Sequence, residues 1–291
     1  MTTAIAVADK AGVRTVERTL DALNFTAKLD KVYDGKGQEL DGYRQILRTD
    51  TGACLSIVSD QYKLVEHREA MFPAVDALGR DGWKVKASRV ERAGASAFVE
   101  LERRDASIKV VGELVGQRVM LRNSYDKSSS LTLTFGALVL KCHNGAVVPG
   151  KGSFGFHSHH TGDVNDRLGQ MLKSYKGIEA ALGTRMLETY SQLDKLVPSS
   201  IGREIIKRSL GERQQDTVAK YWNTGIGRDG ELSAWNLYQG ITQFLTHDFN
   251  GSWDRRERLN GQALGMITEV VRNGTLPPLG DETGKFTNTG H

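Results

Sequence analysis

The chain has 291 residues, 39% of them hydrophobic and 25% charged, with a formal net charge of +4 and only two cysteines. That length buries a sizeable core without staples, and Cys54 and Cys142 lie too far apart in sequence for a disulfide framework. The longest apolar stretches, such as 131–140, fall far short of the roughly 20 residues of a membrane span, and the N-terminus lacks the basic and apolar regions of a signal peptide.

In chain order, Val13, Val16, Leu20 and Leu23 follow helical spacing, and the Gly- and Asp-rich stretch 31–42 reads as a loop. Asp50-Thr51-Gly52 marks a hairpin between two apolar runs. A helix is expected over 67–82, with Pro73 kinking or restarting it and Gly82 closing it. Strands then resume at 84–92 and 96–104, joined around Ala93-Gly94-Ala95, and continue at 109–126 and 129–142. Five glycines and few apolar residues make 145–162 a connector or functional loop. Beyond it the period changes to 3.6: one long amphipathic helix runs from Val164 to Leu193, and further helices are expected at 200–223, 231–248 and 254–273. The polar tail after Pro278 reads as disordered.

The expected architecture is therefore α+β, a curved antiparallel sheet carrying a helix and followed by a mainly helical region. The divisions are an N-terminal helix and loop (1–42), a β-rich core (43–150), a connector (151–163), a helical region (164–275) and a tail (276–291).

Chemistry concentrates in residues 118–160. Arg118, Arg122, Lys127, Lys141 and Lys151 face only Asp126 in charge balance, and four of the seven histidines lie there. A local excess of cations attracts polyanions through counterion release. Tyr125 and Phe154 interleave with these cations as candidate stacking rings, Tyr125 being the better surface candidate, and Arg103 and Arg104 extend the basic edge. Phe135 reads as core, as do Trp222, Trp235 and Trp253.

Cys142, His157, His159 and His160 are the candidate metal ligands, but their spacing is not that of a zinc finger. GAVVPGK (145–151) follows a phosphate-loop pattern up to its lysine, yet Gly152 stands where the Mg²⁺-holding hydroxyl belongs. No GxSxG, HExxH or CxxC occurs, so no catalytic residue is assigned and no cofactor is expected.

Two blocks carry a resemblance. Gly52-x-x-Leu55-x-x-Val58-x-x-x-Tyr62 leads into a helix, and Cys142-x-Asn144-Gly145 follows a strand. Both resemble a family of phage- and plasmid-like proteins known as a domain of unknown function (932), as does the C-terminal pattern Trp235, Thr242, His247. The arginine of that family's second block has no counterpart here, because Lys141 is displaced from it. The resemblance implies phage or plasmid origin and a bacterial cytoplasmic location.

The order hairpin, helix, antiparallel strands and helices is also similar to the layout of phage single-strand annealing proteins. That likeness implies sequence-independent single-stranded DNA binding, strand annealing, no nucleotide, and assembly into a ring or filament. Two other readings stand beside it: a metal- or nucleotide-dependent enzyme of phage DNA metabolism centred on 142–160, and a phage protein that binds a host factor.

Overall fold

The computed structural model describes residues 20–127, 131–139, 144–146, 155–158, 164–223 and 232–277. The chain divides into two compact units: residues 1–109 with 114–186, and residues 187–291 with the short turn 110–113. The architecture is α+β, with antiparallel sheets first and helices in the C-terminal part.

The first unit opens with a three-stranded antiparallel sheet, β1 (Ala27–Tyr33), β2 (Glu39–Arg48) and β3 (Cys54–Ser59), in that order. The stretch expected to be a loop, 31–42, is instead the far end of the β1–β2 hairpin. The Asp34 carboxylate accepts from the Lys36 and Gln38 backbone N–H groups, both at 2.8 Å, and so closes a tight turn. The β2–β3 turn falls where expected, with Gly52 at φ +69°. The N-terminal helical spacing lies mostly outside the described residues; its end, Asp21–Leu23, is a single 3₁₀ turn.

Helix α1 (His67–Arg80) buries His67, Ala70, Met71, Ala74, Val75 and Leu78, an i, i+3, i+4, i+7 stripe. Pro73 sits inside it without ending it. The helix stops at Asp81 and Gly82, where φ is +90°.

The second sheet runs β4 (Lys84–Glu91), β5 (Ser96–Val110), β6 (Glu113–Ser124) and β7 (Leu131–Val139). Two short strands, β8 (Asn144–Ala146) and β9 (Gly155–Ser158), pair with opposite ends of β7. The expected strand 109–126 is broken at Val111-Gly112, both with positive φ, which turns β5 into β6. The expected connector also holds β8 and β9, because backbone groups beside the edge of β7 are satisfied by pairing with it.

One face of this sheet is apolar and buried: Ala97, Val99, Leu101, Val119, Leu121, Leu131, Leu133 and Phe135. Phe135 meets Trp83 edge-on and stacks on Tyr175 of the long helix α2 (Val164–Ser191), with ring centres 6.3 Å apart.

The second unit comprises the end of α2 with α3 (Ser199–Leu210), α4 (Gln215–Asn223), α5 (Ala234–Gln243) and α6 (Trp253–Asn273). The helix expected over 200–223 is two, because Gly211 adopts φ +95° between them. Helix α5 is buried on every side from Ala234 to Thr242 and passes into a π-helical turn, Phe244–Asp248. Ser233 caps α5 by accepting from Asn236 N–H at 3.1 Å. Gly202 and Gly240 let α3 and α5 approach α4: a Cβ on Gly202 would lie 2.1 Å from the Trp222 ring.

Candidate nucleic-acid surface and a buried histidine network

The face of the second sheet opposite its apolar side carries charge. Strand alternation places Phe98 and Glu100 of β5 there, beside Arg118 and Arg122 of β6 and Thr132 of β7. Arg89 of β4 is paired with Phe98, Arg122 with Thr132, and Thr132 with His157 of β9. Both guanidinium carbons, Arg89 Cζ and Arg122 Cζ, lie 5.5 Å from the centre of the Phe98 ring.

A cross-strand row therefore runs Arg89, Phe98, Arg122, Thr132, His157. Phe98 is only 2% exposed, so it serves as an aromatic support on which the two guanidiniums rest rather than as a surface ring itself. Farther along the same face the Glu100 carboxylate bonds Lys86 Nζ at 3.1 Å and lies 3.9 Å from Arg118.

Several expected contact residues take other places. Arg118 is 1% exposed, so its charge is turned inward to Glu100 and not to solvent. Tyr125 is 0% exposed, and the reading of it as a surface stacking ring is corrected. Lys127 is exposed, at φ +61° just past the end of β6. Arg103 bonds Asp105 at 3.1 Å, while Arg104 lies on β5. His157 is placed by its register in β9. Lys141, Cys142, Lys151, Phe154, His159 and His160 lie outside the described residues. Among the described residues, no three His, Cys, Asp or Glu side chains gather as a metal site.

Tyr125 belongs instead to a buried network around His67, the first residue of α1. The Tyr125 ring stacks on the His67 imidazole at 4.1 Å, and its hydroxyl accepts from the His67 backbone N–H at 3.0 Å. His67 Nε2 faces the Gly94 carbonyl at 2.9 Å, and a carbonyl can only accept, so Nε2 carries the proton. Nδ1 then accepts from Asn123 Nδ2, also at 2.9 Å. Phe25 closes the cluster edge-on to His67, and Arg48 lies 4.0 Å over the Phe25 ring.

The β4–β5 turn is shaped to feed this network. Arg92, Ala93 and Gly94 all have positive φ. That conformation aims the Ala93 carbonyl at Arg48 (3.0 Å) and the Gly94 carbonyl at His67. A side chain on Gly94 would meet Phe25 at 2.8 Å. Burial keeps the Tyr125 hydroxyl protonated well above the usual tyrosine range. Burial, with the Asp126 charge, pushes the neighbouring Tyr62 up to about 12.

Sequence reasoning missed His67 because its partners Gly94, Asn123 and Tyr125 stand 27 to 58 residues away. The sequence marked this neighbourhood only through Tyr125, read as a surface ring, and Tyr62, in the Gly-x-x-Leu-x-x-Val-x-x-x-Tyr block. The cation–aromatic pairing of Arg89 and Phe98 was likewise invisible before the register of β4 on β5 was known.

The family model described as Domain of unknown function (DUF932) matches residues 54–264. The chain belongs to this family. The DUF932 match takes in β3, His67 with its partners Gly94, Asn123 and Tyr125, and the Arg89–Arg122 row, and it stops inside α6, while β1 and β2, with Phe25 and Arg48, precede it. No curated protein and no solved structure matches the chain. Among the described residues, no helix is long and apolar enough to cross a membrane.

Proposed function

We propose that this protein binds single-stranded DNA without sequence preference and promotes annealing of complementary strands, in the recombination or replication of a phage or plasmid in a bacterial cytoplasm. The observation that carries the reading is the Arg89–Phe98–Arg122 arrangement on the charged sheet face. An arginine beside an aromatic ring pairs with phosphate and stacks on bases, and Arg89, which also pairs with Glu91 at 3.1 Å, would exchange that carboxylate for phosphate on binding. Lys127, exposed just past the end of β6, offers a further cation. Neither contact distinguishes one base from another, as annealing of arbitrary complements requires. Annealing also needs a strand displayed over many nucleotides, which copies arranged side by side in a ring or filament supply.

The test is fluorescence anisotropy of a labelled oligothymidine at several salt concentrations, with a strand-annealing assay on complementary oligonucleotides. Each phosphate neutralised on a single strand contributes about 0.7 to the salt slope. The double variant Arg89→Ala, Lys127→Ala should therefore lower that slope by about 1.4, with annealing slowed in parallel. An unchanged slope, or no binding by the native chain at low salt, overturns the reading.

A further inference from the structure

We infer that two copies of this chain join through the open edge of β3, extending the three-stranded sheet into one continuous six-stranded sheet about a two-fold axis. The inference stands apart from the DNA reading, because it concerns the other sheet of the first unit. It begins with where the chain leaves large apolar groups in solvent. Of the exposed large hydrophobics, Leu29, Tyr33, Leu40, Tyr43 and Ile57 all lie on β1, β2 and β3. Tyr43 is 53% exposed and Ile57 54% exposed. Ile57 sits opposite Gln45, and Tyr43 opposite Ser59, so strand alternation puts both rings of contact on one face. An exposed apolar group of this size on a small sheet marks a contact surface.

Charge says what kind of partner fits. Over residues 27–59, Lys28, Lys31, Lys36, Arg44 and Arg48 are balanced by Asp30, Asp34, Glu39, Asp41 and Asp50. Glu39 alone bonds both Lys31 (2.7 Å) and Arg44 (2.9 Å). A surface with no net charge has nothing to draw a polyanion, whereas tyrosine and isoleucine amid paired charges suit a protein interface.

The two edges of the sheet are unequal. Thr49 N–H bonds the Thr26 carbonyl, so by antiparallel alternation Ala27, Leu29 and Lys31 turn their backbone groups away from β2. Side chains block that edge. Glu66 accepts from Ala27 N–H (3.4 Å), Asp30 accepts from Lys31 N–H (2.8 Å), and Gln45 Nε2 donates to the Lys31 carbonyl (2.8 Å).

On the opposite edge, Asp60 N–H bonds the Gly42 carbonyl and Arg48 N–H the Ala53 carbonyl. The same alternation turns the N–H and C=O of Ile57 outward, and among the described residues only the Ser56 hydroxyl, 3.5 Å from that carbonyl, approaches them. Residues 54–59 carry no charge and no proline, the two devices that usually protect an edge.

Self-pairing suits this edge, on which the Ser59 carbonyl already accepts one bond, from the Tyr62 N–H at 3.0 Å, and keeps a second lone pair. With Ile57 on the two-fold axis, Ile57 meets its own copy, Ser56 meets Val58, Leu55 meets Ser59 and Cys54 meets Asp60, so no like charges oppose. The two Ile57 side chains then meet at the axis, with Tyr43 of each copy diagonal to Ile57 on the same face. A two-fold contact closes on itself, so a ring or filament needs a second contact elsewhere on the chain.

Sedimentation velocity of the full chain at rising concentration tests the inference, with Ile57→Lys as the variant. Native protein should dimerise. The variant places two ammonium groups together at the axis and should weaken the dimer by about tenfold or more, with an unchanged circular dichroism spectrum because the side chain is exposed. In a Cys54→Ser, Cys142→Ser background, Ile57→Cys should be joined into a covalent dimer by a short bismaleimide. Native Cys54 should not be, because six register positions separate the two copies, about 20 Å. A native chain that stays monomeric throughout overturns the inference. So does a dimer indifferent to Ile57→Lys that Ile57→Cys fails to cross-link, or a chain that uses Ile57 only to hold a different protein.

Discussion

Replacing Tyr125 with phenylalanine separates a buried structural hydroxyl from a surface stacking ring. The hydroxyl accepts the backbone N–H of His67 at 3.0 Å, and both residues are almost wholly buried. Phenylalanine keeps the ring, and with it the stacking on the His67 imidazole at 4.1 Å. What is lost is one acceptor, at the first turn of α1, where an N–H has no carbonyl one turn back to bond. A buried donor left without a partner costs about 1–3 kcal/mol. Taking about 2 kcal/mol, and about 2–4 °C of Tm for each kcal/mol in a unit of this size, the loss is about 4–8 °C. Thermal circular dichroism reads that shift, and anisotropy with oligothymidine reads DNA affinity, which should not change. An unaltered Tm, or affinity that falls while Tm holds, would refute the reasoning, since either result would mean that the ring reaches solvent.

Four further outcomes are expected. Gly202→Ala drives a methyl group into the Trp222 ring, and it should cost about 3 kcal/mol or more in denaturant unfolding followed by tryptophan fluorescence. Glu113 is buried and accepts from Trp235 Nε1–H at 3.0 Å within the helical unit. Glu113→Ala should therefore destabilise by about 1–3 kcal/mol, and Glu113→Gln, which keeps an acceptor, should recover much of that in the same assay. Tyr62 titrates near 12 when folded against 10.0 ordinarily, so its contribution to stability is complete below pH 10 and lost as pH rises through 12. Tyr62→Phe should accordingly move the alkaline unfolding midpoint upward in a pH titration. Gly94→Ala, at φ +107° and against Phe25, should unfold the first unit's core at markedly lower denaturant, whereas Gly52→Ala, with open space around it, should cost far less.

The amino-acid sequence determined by itself whatever depends on neighbours a few positions apart. The buried stripe from His67 to Leu78 sets α1, the 3.6-residue period from Val164 sets α2, and Asp50-Thr51-Gly52 turns β2 into β3, because spacing and backbone preference act locally. The same logic misplaced the ends of elements where a single turn decides, at Val111-Gly112 and at Gly211, and it missed the hairpin that Asp34 closes.

What tertiary structure alone decided is which polar residues face solvent. Tyr125 and Arg118 read as surface from their polar neighbours, yet one is drawn onto His67 and the other toward Glu100 by strands far away in sequence. Arg89 and Phe98 become a unit only through the register of β4 on β5, and the edge of β3 is open only because nothing pairs beside it among the described residues. Each of these outcomes is a balance between burying a polar group and finding it a partner, and the partner's position is set by long-range pairing that no local pattern encodes.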